Sequence, residues 1–104
     1  MSIYVIDRVR INAANDRVTH VRWGQVNPRN NQWTNPAGPG IDEVIRAVDA
    51  IQGGDEVWTV FPVQGQTVLG PQVAVVVYPG GLEGIETADA ANHPGRTMLD
   101  LPRI

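Results

Sequence analysis

Two segments near the start of the chain carry the residues whose types and spacing could do chemistry. Arg8 and Arg10 alternate along residues 3–11, and His20 and Arg22 alternate along residues 17–24. Residues two apart on a strand share a face. Pairing the two segments in a suitable register would therefore put all four side chains on one side of a sheet. Trp23 and Trp33 follow close in sequence. Arginines beside aromatic rings on an open sheet hold single-stranded nucleic acid by phosphate contact and base stacking. Arg8, Arg10, His20, Arg22 and Trp33 are accordingly the candidate binding face. The whole chain carries a net charge of −3 and an isoelectric point near 5.1, without the basic footprint usual in nucleic-acid binders. Nucleic acid is therefore possible but not favoured. A solvated sheet face with the tryptophans in the core ranks ahead of it, and another acidic partner or a small anion remains open.

Other constellations are poorer. His20 and His93 lie far apart, and Asp89 and His93 are four apart but run into Pro94-Gly95, which breaks the helical spacing a shared face needs. Carboxylate neighbours occur at Asp42/Glu43, Asp55/Glu56 and Glu83/Glu86; the first pair is explained by a helix start and the second by a strand entry. General acid–base work needs two carboxyls converging on one substrate, not two neighbours in sequence. Gly80, Gly81 and Gly84 follow a strand without opening a helix, so they form no dinucleotide fingerprint. The chain has no cysteine and no lysine, and Ser2 is its one serine. Thiolate, Schiff-base and P-loop lysine chemistry are excluded, and serine-nucleophile chemistry is disfavoured. No catalytic constellation, cofactor site or metal site is found.

These side chains need elements to position them. Residues 3–11 alternate as a strand with Ile3, Val5, Val9 and Ile11 on one face, interrupted by Asp7. The turn-prone run Asn12 to Asp16 leads into a second strand over 17–24, with Val18, His20 and Arg22 opposite Thr19, Val21 and Trp23. Residues 25–40 hold three prolines, four asparagines and two glycines. That composition predicts a long irregular loop pinned by Trp33. A helix is expected from Ile41 to about Gln52, its apolar stripe made of Ile41, Val44, Ile45, Val48 and Ile51, with Asp42 and Glu43 in the first turn and Gly53-Gly54 as the stop. Strands follow over Asp55–Phe61, ended by Pro62, and over Gln72–Tyr78, whose unbroken apolar run reads as covered on both faces. Ile85 to Ala88 offers a short edge strand, and residues 98–104 are apolar enough to dock.

The expected fold is α+β: one helix on a mainly antiparallel sheet of four to five strands, in the order β-β-α-β-β with an extended C-terminal tail. At 104 residues, 42% of them hydrophobic, the chain makes one domain, 1–104. It needs no disulfide to hold a core and is too apolar for intrinsic disorder. The absence of a basic, apolar leader and of any 18-residue apolar run predicts a cytoplasmic protein with no membrane partner. Charge is unevenly placed. Residues 1–30 carry five arginines against Asp7 and Asp16, and residues 53–104 carry six acids against Arg96 and Arg103. Complementary halves and uncovered strand edges make a homodimer possible.

Three segments together resemble the DUF3892-type domains, small bacterial domains of unknown function. They are the hairpin Ile11–Trp23, the run from Ile41 to Val60 with its Gly turn, and the ending Leu99-Asp100-Leu101-Pro102. The resemblance implies a compact domain and carries over no functional residue. A non-enzymatic binding or interaction module is the expected function. The alternatives are a weak single-stranded nucleic-acid or anion binder using the arginine face, and a homodimeric structural protein.

Overall fold

The structure, a computed structural model, describes residues 2–14, 16–30, 32–88 and 95–104. Its elements are β1 (Ile3–Ile11), β2 (Val18–Asn27), β3 (Gln32–Trp33), β4 (Gly40–Glu43), α1 (Val44–Gln52), β5 (Glu56–Val63), β6 (Gln66–Val77) and β7 (Glu83–Thr87). The sheet runs β3-β2-β1-β5-β6-β7, with β4 also paired to β2. Every pairing between these strands is antiparallel except β1 with β5. The fold is therefore α+β with, among the described residues, one helix and a mostly antiparallel sheet, as expected, but with seven strands rather than four or five. The additional strands arise in and beside the segment read as irregular. Val26 pairs with Trp33, and Trp23 to His20 pair with Gly40 to Glu43. Proline and asparagine forbid a long element there, yet short rungs still form because the free edge of β2 offers unpaired backbone groups.

Two bulges set the faces of the first hairpin. Ile6 faces Trp23 and Arg8 faces Arg22, so Asp7 is an extra residue in β1; Arg10 faces His20 and Ile11 faces Val18, so Thr19 is an extra residue in β2. Each bulge shifts the alternation by one. Strict alternation placed Ile3, Val5, Val9 and Ile11 together. Instead Tyr4, Ile6, Val9 and Ile11 belong to the core with Val18, Val21 and Trp23, and Val5 faces the other way. Asp7 does not interrupt the apolar face; it marks where the strand changes phase.

The helix begins later than its periodicity suggests. Residues 40–43 stay extended on β2, where the Trp23 indole N–H donates to Asp42 Oδ2 at 2.9 Å, and Glu43 is the extended residue before the first turn. Asp42 and Glu43 are thus outside the first turn, and Ile41 and Ile45 are 51% and 44% exposed. The stripe that packs on the sheet is Val44, Ala47, Val48 and Ile51. Gly54, at φ +98°, supplies the left-handed stop.

β5 runs through Pro62 to Val63 and turns at Gln64-Gly65, both with positive φ, into β6. Among the described residues β5 has no partner on its other edge beyond Thr59, which is where a strand tolerates proline. β6 starts at Gln66, ahead of the expected Gln72. It is not covered on both faces: the buried Pro71 and Val73 alternate with the half-buried Gln72 and Ala74, and Val77 at its end is 67% exposed. β7 is the edge strand, beginning at Glu83. The β6–β7 arm reaches the β1–β2 turn, where the Arg17 guanidinium lies 4.2 Å from the centre of the Tyr78 ring. Burial pushes the Tyr78 hydroxyl above its ordinary range, the Glu86 charge adds to this, and Arg17 opposes it.

The segment after residue 95 docks as expected. Met98 and Leu101 are almost fully buried in the core. The Thr97 backbone N–H and hydroxyl both donate to Asp100 Oδ2, at 2.9 and 2.7 Å, across a 3-10 turn over Met98–Asp100. These bonds, the backbone one first, hold the Asp100 carboxyl below the usual aspartate range. Their contribution to stability is present above the unfolded value and is lost as the pH falls through the lower folded value. The Val9 N–H donates to the Pro102 carbonyl and the Ile104 N–H to the Val9 carbonyl, both at 3.0 Å. Residues 102–104 thus occupy the edge of β1 that β5 leaves. Among the described residues no helix is long and apolar enough to cross a membrane.

Candidate binding face

The bulge at Asp7 brings the four predicted residues together. Arg10 stands opposite His20 and Arg8 opposite Arg22. Facing residues of an antiparallel pair share a side of the sheet, here the side away from α1. The next row holds Val5 opposite Gly24, and the Trp33 ring covers Gly24. A Cβ on Gly24 would lie 2.9 Å from the Trp33 ring, so the bare backbone lets the indole settle on the sheet. Trp33 therefore pins the loop as expected, but on the outer face rather than in the core. Arg8 and Arg10 are exposed, whereas His20, Arg22 and Trp33 are half-buried. On the far edge β4 sets Glu43 beside His20 and Ile41 beside Arg22.

Like charges directly opposite one another destabilise a ladder, and Asp7 answers the Arg8–Arg22 pair. The Arg22 Nη2 donates to Asp7 Oδ2 at 2.9 Å. Asp7 Oδ1 and Arg22 Nε are both buried without a partner, so the pair rests on this one hydrogen bond. Arg8 Nη1 donates to the Arg103 carbonyl at 3.2 Å. Asp7→Asn is expected to lower the thermal midpoint by several degrees at low salt, equivalent to about 1–2 kcal/mol, with the deficit shrinking as sodium chloride screens the two arginines. Melting curves across a salt series check this. An equal deficit at all salts would assign the loss to the hydrogen bond rather than to the charge.

His20 is oriented by its neighbour. The Thr19 hydroxyl donates its one proton to the Arg10 carbonyl at 3.2 Å and lies 3.0 Å from His20 Nδ1.

Beside the ladder lies a cleft of about 530 Å³, at the fork where β1 and β5 part. Val5, Val60, Leu69 and Pro102 give it apolar walls, Trp33 closes one side, and Asp7 and Arg8 stand in it. Of these lining residues the sequence pattern names Arg8 and Trp33 but misses the apolar walls, because alternation assigns Val5 to the core and Pro62 reads as a strand end. The signal available was Asp7 itself, a charge where the pattern required an apolar residue. Asp89 and His93 lie outside the described residues. Among the described residues no group of three His, Cys, Asp or Glu side chains is arranged to hold a metal ion. No protein-family model, curated protein or solved structure matches this chain.

Proposed function

We propose that the chain is a non-enzymatic binding module that recognises an acidic partner through the outer face of β1 and β2. One observation carries the proposal. A chain of net charge −3 sets Arg8, Arg10, His20 and Arg22 in two adjacent facing pairs, of which only Arg22 has a carboxylate partner among the described residues. A second reading, in which the partner is single-stranded nucleic acid, is favoured by Trp33, which lies one row from the arginines and offers a ring for base stacking. The kinship with DUF3892-type domains belongs to the same proposal, resting on the hairpin, helix–Gly–strand and Leu99–Pro102 segments, and it adds no activity.

The test is a salt-titrated anisotropy measurement with two labelled probes, a short oligothymidylate and a polyglutamate peptide. For whichever probe binds, Arg8→Gln with Arg10→Gln is expected to weaken affinity at least tenfold. If that probe is the oligonucleotide, the double variant should also reduce the slope of log K against log salt by about 2, one unit for each lost phosphate contact. Both arginines are exposed, so the fold should persist. Unchanged binding in the double variant, or no binding of either probe to the wild type, overturns the proposal.

A further inference from the structure

We infer that the cleft where β1 and β5 part is a binding site for a small amphipathic carboxylate, an apolar chain or ring system bearing one acid group. The inference rests on the outer face being the recognition face, since Arg8 belongs to both, and it goes further by naming a ligand class. Three observations fix that class. The volume, about 530 Å³, lies in the range of small-molecule sites. The walls formed by Val5, Val60, Leu69 and Pro102 are apolar, and Leu69 is 63% exposed, so apolar surface is left for a ligand to cover.

The charge of the cleft selects the third feature. Asp7 and Arg8 both line it, but Asp7 is bonded to Arg22 at 2.9 Å. Arg8, whose one bond among the described residues goes to the Arg103 carbonyl, is the charge left without a counter-ion. One uncompensated guanidinium beside an apolar wall matches a monoanion with an apolar body. The planar guanidinium suits a carboxylate, which accepts two parallel N–H bonds. A cation of the same shape would be repelled by Arg8, and the charge of Asp7 is already countered by Arg22, although its Oδ1 has no hydrogen-bond partner.

The test uses the whole chain and decanoate below its micelle concentration, followed by amide and indole NMR signals. Acetate supplies the charge without the body, and decyltrimethylammonium the body with the opposite charge. Decanoate is expected to shift Val5, Arg8, Val60, Leu69 and the Trp33 indole saturably. Acetate and the ammonium should bind at least tenfold more weakly. Arg8→Gln, and separately Leu69→Asp, should each reduce decanoate affinity tenfold or more; both positions are exposed, so an unchanged spectrum elsewhere confirms folding. Equal binding of the ammonium, shifts confined to another surface, or unchanged affinity in both variants overturns the inference. If the acidic polymers shift Arg10, His20 and Arg22 while decanoate leaves the cleft unmoved, this inference fails and the proposed function stands. If neither ligand acts on the outer face, both fail.

Discussion

Removal of residues 97–104 is expected to abolish the cooperative unfolding transition. The segment supplies Met98 and Leu101, which are 1% and 2% exposed within the core, and the two backbone bonds that occupy the edge of β1 beyond Ile6. Truncating a buried Leu or Met to alanine costs about 2–5 kcal/mol, whereas the whole domain holds roughly 5–15 kcal/mol. Losing both side chains and leaving the β1 edge open therefore consumes most of the available stability. Leu101→Ala alone should lower the unfolding free energy by about 3 kcal/mol, read as a drop in the urea midpoint at constant slope. A shortened protein that still unfolds cooperatively, within about 1 kcal/mol of the full chain, would show that the segment merely decorates a finished core.

The second large effect is expected at Gly70, where β6 carries its own irregularity. A Cβ there would sit 2.6 Å from Phe61 Cδ1 and closer still to Thr59 Oγ1. Neither neighbour is free to yield. Thr59 is fully buried and its hydroxyl donates to the Pro71 carbonyl at 2.8 Å, and Phe61 is 4% exposed. Gly70→Ala should therefore destabilise by about 2–3 kcal/mol through overpacking. Gly40→Ala is the matched control: no heavy atom lies within 4 Å of its added Cβ and its φ is unstrained, so it should change stability by less than about 0.5 kcal/mol. Similar thermal midpoints for the two variants would mean that β6 shifts to admit the methyl group at Gly70.

The hairpin, the helix and the later strands were legible because each obeys a period: alternation in β1 and β2, and a stripe at three- and four-residue spacing in α1. The misassignments share one cause, that period alone does not record where a ladder slips. Asp7 and Thr19 each insert one residue, so Val5 and Ile6 exchange faces relative to strict alternation. The arginine ladder survived this, because Arg8 and Arg10 lie together after one slip and His20 and Arg22 lie together after the other. Ile41 fitted the helical stripe in spacing, but a bond from Trp23 to Asp42, made across 19 residues, holds it on a strand. The cleft was illegible for a further reason. Its walls come from β1, β2, β3, β5, β6 and the segment after residue 95, and no local window contains that convergence.

The contact between Arg8 and the Arg103 carbonyl joins residues 95 apart in sequence, and this has a consequence for the chain during its synthesis. At about 5–20 residues per second, β1 leaves the ribosome roughly 5–20 s before the segment that closes its upper edge. Throughout that interval β1 presents unpaired backbone groups and an uncovered Val9, a ready template for strand addition by another nascent chain. The cations on its outward side, Arg8 and Arg10, then keep neighbouring chains apart by mutual repulsion. These two charges would thus protect the chain, while still incomplete, from its own copies on one polysome.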